Sequence, residues 1–437
     1  MIEKSIRYFI GFVVSTLLVL TCFDMTFADA KFSFKPRFSA SAQYDSNFYR
    51  SEENEREVYT YLFQPGIGVG LESAKSKFTL DYTFEAYLYD DQSDVPEGEE
   101  AADEENYIGH IIVLDGIYSL TDRLDLMLNN SYNYTRRPQE SDVFSNSVAR
   151  DKYWINRFTP GIFYDFNERL TAGLRYRRTD LKYVDDETGK SDFLEHRILF
   201  NLIYNPTRTV TLDLDYQRWT NEEEAEDLEE REYTSDQIAL VVEKRFTYVA
   251  LQGGVGYHIR DWDDKDPELE EEDSIVYKAS VTWQSPPPPD ITQRRGQKGV
   301  RSKTHAYLAG ERNFNNLGYY FDTYVADRIT ASVGYVFLEK FETFLRGWYS
   351  IYDYTSQTGL TPEGSTEFRE DKVYDIEAGI GYLIREDMAL SFRVGNENRD
   401  SNIAGFDYDN NYAMLVFDFN YDLFARGGYN KEASYYR

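Results

Sequence analysis

The 437-residue chain is short of several residue types, and each shortage removes a class of protein. One Cys and four His are too few for a disulfide framework or a Cys/His zinc cluster. Lys and Arg number 47 against 77 Asp and Glu, a formal charge of −30. That balance argues against nucleic acid as a partner, because phosphate binding needs clustered cations. Mean hydropathy is −0.60 and the one long apolar run lies at the N-terminus, so no bundle of transmembrane helices is encoded. Pro is scarce at 12 residues. What the chain has instead is aromatic: 38 Tyr, 29 Phe and 5 Trp, far more than disordered acidic chains carry.

Residues 1–30 read as a secretory signal peptide. Lys4 and Arg7 precede an apolar run from Tyr8 to Leu20, and Ala28-Asp29-Ala30 supplies a small-x-small cleavage pattern. Cys22 leaves with this segment, and the mature chain has no Cys. A lipidated Cys22 is the alternative, disfavoured by Leu20 and Thr21 before it.

The rest alternates apolar and polar residues with period two. Phe78, Leu80, Tyr82, Phe84, Ala86 and Leu88 form one apolar set, and Leu170, Ala172, Leu174 and Tyr176 another. Such alternation marks strands with one apolar face. Turns alternate between short (73–77, 119–123, 165–169, 205–208, 245–247, 338–341, 384–387) and long (135–149, 184–192, 354–369, 396–407). The long connections are acidic: Asp90 to Glu105 has nine carboxylates and no Lys or Arg, and Glu222 to Glu232 and Asp261 to Asp273 are similar. Short turns on one side and long loops on the other predict an outer-membrane barrel. About 45 residues per hairpin gives roughly 18 strands, with 16 as the alternative. The fold class expected is all-β: one antiparallel transmembrane barrel over 31–424, with periplasmic short turns, acidic extracellular loops and a tail at 425–437.

Two aromatic girdles are expected, because Tyr and Trp favour membrane–water interfaces. Tyr118, Tyr164, Phe166, Tyr204, Phe246, Tyr248, Tyr335, Phe337, Phe341 and Tyr382 fall on the turn side. Tyr87, Tyr89, Tyr132, Tyr134, Trp219, Trp262 and Tyr354 fall near the long loops. The segment Ser285 to Lys303 breaks the pattern, being long where a short turn is due. It holds Pro286 to Pro289 and then five cations, and reads as a solvated linker or a contact with an acidic periplasmic partner.

Particular motifs carry a family resemblance. The first strand ends in Tyr44-Asp45-Ser46-Asn47-Phe48-Tyr49-Arg50, the second contains Phe63-Gln64-Pro65-Gly66-Ile67, and Phe158-Thr159-Pro160-Gly161-Ile162 repeats the latter. This combination resembles the β-barrel porins encoded with exopolysaccharide biosynthesis and export genes in Gram-negative bacteria. The resemblance spans most of 34–424 and implies an outer-membrane location and a polysaccharide cargo. One departure is that thirteen residues follow Phe424, where many such barrels end on an aromatic residue read by the assembly machinery.

No catalytic constellation is apparent, and the expectation is a non-enzyme. His110, His196, His258 and His305 fall on different predicted strands without metal-binding spacing, and no G-x-S-x-G elbow occurs. Positions opposite the apolar face predict a lumen lined by Arg157, Arg175, Arg177, Arg197 and Arg393 with Asp81, Glu85, Asp213 and Asp215. Rings of charge select solutes, and Arg forks bind carboxylate or phosphate of an anionic glycan. The competing reading is that these charges pair with one another across a filled lumen. No cofactor is expected; the acidic loops would gather calcium and bridge to lipopolysaccharide, or simply form a solvated rim. The primary expectation is a channel assisting export of a polysaccharide or passage of hydrophilic solutes. The rivals are a non-conducting structural or receptor barrel and a general diffusion porin. Partners implied are outer-membrane lipid and lipopolysaccharide, export machinery and the barrel-assembly machinery.

Overall fold

The computed structural model describes residues 30–420, apart from 97, 138–147, 149, 185–190, 226–230, 264–271, 286–302, 316–322, 362–364 and 386. The signal segment, most of the proline-rich connection, Phe424 and the tail lie outside the described residues, as do parts of the acidic stretches after 225 and 263. The strands are β1 Lys31–Asp45, β2 Val58–Glu72, β3 Ser76–Asp91, β4 Tyr107–Ser119, β5 Leu124–Thr135, β6 Tyr153–Asn167, β7 Leu170–Tyr183, β8 Ser191–Thr207 and β9 Val210–Ala225. They continue as β10 Arg231–Arg245, β11 Val249–Trp262, β12 Glu272–Ser285, β13 Thr304–Phe314, β14 Tyr324–Phe337, β15 Phe341–Leu360, β16 Thr366–Arg385, β17 Met388–Ser401 and β18 Tyr408–Asn420. Among the described residues, the connection from β3 to β4 contains a 3-10 turn, Ala102–Glu105.

Each strand pairs antiparallel with the next, and β1 pairs with β18, from Arg37 opposite Asn420 to Asp45 opposite Tyr412. The result is a closed 18-stranded barrel. Closure gives every strand two neighbours, which a bilayer requires because hydrocarbon offers no hydrogen bonds to a free edge.

Two expectations about length needed correction. The strands run from 11 residues in β13 to 20 in β15 and β16, longer than the roughly ten residues that a strand needs to cross a bilayer. After a bulge between Asp353 and Thr358, β15 and β16 stay paired up to Leu360 opposite Thr366. Much of 354–369 and the start of 396–407 are therefore strand. The cause is that both faces meet water above the bilayer, so period-two alternation fades while the ladder continues. The turns at 165–169 and 205–208 are also tighter, since strands reach Asn167 and Thr207.

The outward face is apolar and uncovered by protein. Ile275, Val255 and Ile329 stay more than half exposed. That exposure suits contact with lipid. The turn-side girdle is present: Tyr335 and Phe337 stack, Phe337 stacks on Phe341, and Phe341 packs on Tyr382 of β16. Tyr164, Phe166, Tyr204, Phe246 and Tyr248 are exposed on the same band.

The repeated Pro-Gly motif has a local meaning. Direct pairing of β2 with β3 is interrupted between Phe63 and Gly66, and that of β6 with β7 between Phe158 and Gly161, where Pro65 and Pro160 have no N–H to donate. The following glycine faces inward and leaves room for a neighbour. A Cβ on Gly161 would lie 2.6 Å from Cγ of Arg175.

Candidate functional site: the inward face

Strand parity decides which side chains line the lumen. On β3, Leu80 and Leu88 are exposed outward, so the odd positions Asp81, Glu85, Tyr87 and Tyr89 point inward. The register carries this parity around the barrel, and it places all nine expected positions on the inward face: Asp81, Glu85, Arg157, Arg175, Arg177, Arg197, Asp213, Asp215 and Arg393.

Toward the extracellular end the inward side chains interlock. Phe48, Tyr87, Tyr89, Ala102 and Tyr107 form one buried cluster, with Arg150 set 3.6 Å from the Phe48 ring centre. Trp219, Tyr233 and Trp262 form another, on which Arg197 and Arg260 lie. Tyr324, Tyr352 and Tyr354 form a third. Arginines here are held by carboxylates. Arg369 donates to Asp371 at 2.9 and 2.6 Å, with Arg399 3.7 Å away, and all three are buried. Arg50 meets Glu397 at 2.9 Å, and Arg260 meets Glu272 at 3.6 Å.

This packing corrects the expected second girdle. Tyr87, Tyr89, Trp219, Trp262 and Tyr354 are 1–7% exposed and point inward. Only Tyr132 and Tyr134 of that set are outward, with Tyr132 stacked on Trp154. The tyrosines therefore serve two environments, lipid interface and lumen. The parity of β3 carried the signal, because Tyr87 and Tyr89 alternate with the apolar residues rather than joining them.

The acidic stretch from Asp90 to Glu105 also carries more structure than a solvated rim. Arg56 donates to Asp91 at 2.6 Å and lies 3.4 Å from Glu99, while Arg136 lies 3.3 Å from Glu105. The Ala102 amide donates to Asp91 at 2.6 Å, and Ala102 is fully buried against the tyrosines. Burial, with the Glu105 carboxylate next, pushes the Tyr49 hydroxyl well above the usual phenol range. Among the described residues no group of three His, Cys, Asp or Glu is placed to hold a metal ion.

Lower down, the inward face is wetter. Asp115 of β4, Lys278 of β12 and Arg346 of β15 are exposed although they face the interior. Arg37 pairs with Asp81 at 2.8 Å. Glu85 is buried and accepts from Gln64 at 2.6 Å and Arg137 at 3.4 Å. Arg175 donates to Asn201 at 2.6 Å, and Asn201 in turn donates to Asp213 at 3.1 Å and Asp215 at 2.8 Å. Arg197 holds Glu195 and donates to Gln217 at 3.1 Å. Arg393 lies 5.8 Å from the Phe344 ring centre. Sequence reasoning missed Glu195, Asn201 and Gln217, whose inward parity matches that of the arginines they hold. The histidines do not gather: His110 and His196 point outward, each bonded to a tyrosine hydroxyl, while His258 and His305 point inward on β11 and β13.

A closed 18-stranded meander with an apolar outer face, a polar inner face and an aromatic girdle defines an outer-membrane β-barrel. The chain belongs to the family described as putative beta-barrel porin 2, which it matches over residues 30–420. It is thus a porin-like barrel of the Gram-negative outer membrane. No curated protein matches it. Among solved structures it is similar to Pseudomonas aeruginosa OpdK, crystallised with vanillate, at 13% identity and a TM-score of 0.45, over 89% of this chain and 98% of that one. Acinetobacter baumannii OccAB2 matches at 10% identity and a TM-score of 0.47, over 90% and 98%.

Proposed function

We propose that the barrel is a channel through which a hydrophilic polymer, a polysaccharide, leaves the cell. The observation that supports this most is the inward face at and below mid-depth, where charged side chains such as Asp115, Lys278 and Arg346 are exposed to water. Passage is passive in this reading, and synthesis or periplasmic machinery supplies the drive. Two measurements test it. Liposomes containing the refolded protein are expected to swell in hydrophilic oligosaccharides, and cells lacking the gene are expected to retain polymer in the periplasm. Sealed liposomes together with normal polymer release would refute it.

One observation favours the second reading, a non-conducting structural or receptor barrel. The outer third of the inward face is interlocked, with Trp219, Tyr233, Arg260 and Tyr352 all buried. That reading expects no conductance and a role carried by the extracellular loops.

A further inference from the structure

Inward-facing arginines of this barrel follow a rule with exceptions. Arg37, Arg50, Arg197, Arg245, Arg260, Arg346, Arg369, Arg385 and Arg399 each form an ion pair with a carboxylate. The rule breaks singly at Arg393, which has only the Phe344 ring beside it, and in a group on the wall built by β6, β7 and β8. There Arg177 sits directly opposite Arg197, which puts the Cβ atoms of two like charges about 5 Å apart, a destabilising arrangement in a sheet. Arg197 is already held by Glu195. Arg175, two residues from Arg177 on the same face, has an amide partner in Asn201 rather than a carboxylate. Arg157 of β6 lies opposite Thr179, diagonal to Arg177. Arg177 itself makes no hydrogen bond or ion pair among the described residues, and it is only partly buried.

Arg177 thus carries its positive charge without an ion pair among the described residues, directly opposite Arg197. The chain is not short of carboxylates, since it has 77 Asp and Glu. The nearby acids are engaged elsewhere: Glu195 on Arg197, and Asp213 and Asp215 on Asn201. Planar guanidinium forks accept carboxylates in two-point contact. Trp219, stacked 4.0 Å beneath the Arg197 guanidinium, fixes that fork in place at one side of the patch.

We propose that the Arg157, Arg175, Arg177 and Arg197 wall is a binding site for carboxylate groups of an acidic sugar chain, with Arg177 as its free fork. This rests on the export reading and adds the chemical class of the cargo: an anionic glycan rather than a neutral one. A repeating carboxylate would exchange along the patch, each contact neutralising the repulsion between Arg177 and Arg197.

The test uses the folded full-length barrel in detergent, with oligogalacturonate and neutral malto-oligosaccharide of equal length as probes, read by titration calorimetry. Wild type is expected to bind the acidic probe at least about tenfold more tightly than the neutral one, and rising salt should weaken it. Arg177→Gln is expected to remove most of that difference, Arg177→Lys to restore part of it, and Lys75→Gln, exposed in the short turn between β2 and β3, to leave it unchanged. Heat-dependent gel mobility confirms that each variant is folded, and Arg157→Gln provides a second lesion in the wall. Equal binding of both probes, or an acidic preference that survives both arginine lesions, would overturn the proposal. An arginine-dependent preference in a protein whose liposomes stay sealed would uphold the site and refute export.

Discussion

Arg369 and Arg177 face the same lumen, yet their surroundings differ. Arg369 is buried near the extracellular end, bonded twice to Asp371 and flanked by Arg399 and the Tyr354 ring. Arg177 lies at mid-depth, partly exposed, and opposes another arginine. The first is a structural charge, solved internally. The second has no ion pair among the described residues. One barrel thus holds a locked outer collar and a wetter, charged interior, and strand parity supplies both from the same alternation.

The largest effect should come from unlocking the collar. Asp371→Asn removes the carboxylate that Arg369 and Arg399 share, and removal of one partner from a buried ion pair costs about 3–5 kcal/mol. Urea unfolding of the barrel in vesicles should show that loss. Arg177→Gln should stay within about 0.5 kcal/mol of wild type in the same assay, because it breaks no hydrogen bond or ion pair among the described residues. Equal losses in both would erase the distinction between the two regions.

A smaller effect sharpens the comparison along the closing seam. At its outer end Asn410 is fully buried, donates to Asp45 at 3.0 Å and accepts from the Asn47 amide at 3.0 Å. At its inner end Ser39 donates to Asp418 at 2.9 Å in a half-buried setting. Asn410→Ala is expected to cost about 1–3 kcal/mol because it strands buried partners, and Ser39→Ala under about 1 kcal/mol. Unfolding midpoints of the two variants give the comparison, and a larger loss at Ser39 would place the lock at the wrong end.

The smallest effect lies in a periplasmic turn outside both regions. Leu338 and Glu339 both adopt positive φ, 51° and 58°. Replacing them with Asn and Gly suits the left-handed backbone and should stabilise the barrel by about 1 kcal/mol or a little more, as a higher unfolding midpoint. An unchanged or lower midpoint would show that the leucine and glutamate side chains compensate for the strain.

Much of this architecture is legible in the amino-acid sequence. Period-two alternation and the alternating turn lengths gave the strand number, and the short turns placed the girdle from Tyr164 to Tyr382. Inward parity also located every expected lumen charge, because alternation is strict inside the bilayer. What escaped was whatever depends on partners across strands. Trp219 and Tyr89 looked like interface residues because an aromatic near a strand end suits a girdle or a lumen equally well, and only register separates the two. The strand extensions beyond 354 and 396 were hidden because neither face is apolar in water. The pairing of Arg197 with Glu195, against the bare Arg177, needs the register of β7 on β8. The Tyr44-to-Arg50 motif likewise resolved only in three dimensions, as Asp45, Asn47 and Arg50 reach β17 and β18 across the seam.

The central claim is that water and solute pass along the inward face despite the packed collar. Single-channel recording of the refolded protein in planar bilayers tests it most directly. Discrete conductance steps, reduced when oligogalacturonate is added, are the expected result. A silent barrel at every voltage and salt concentration would contradict it.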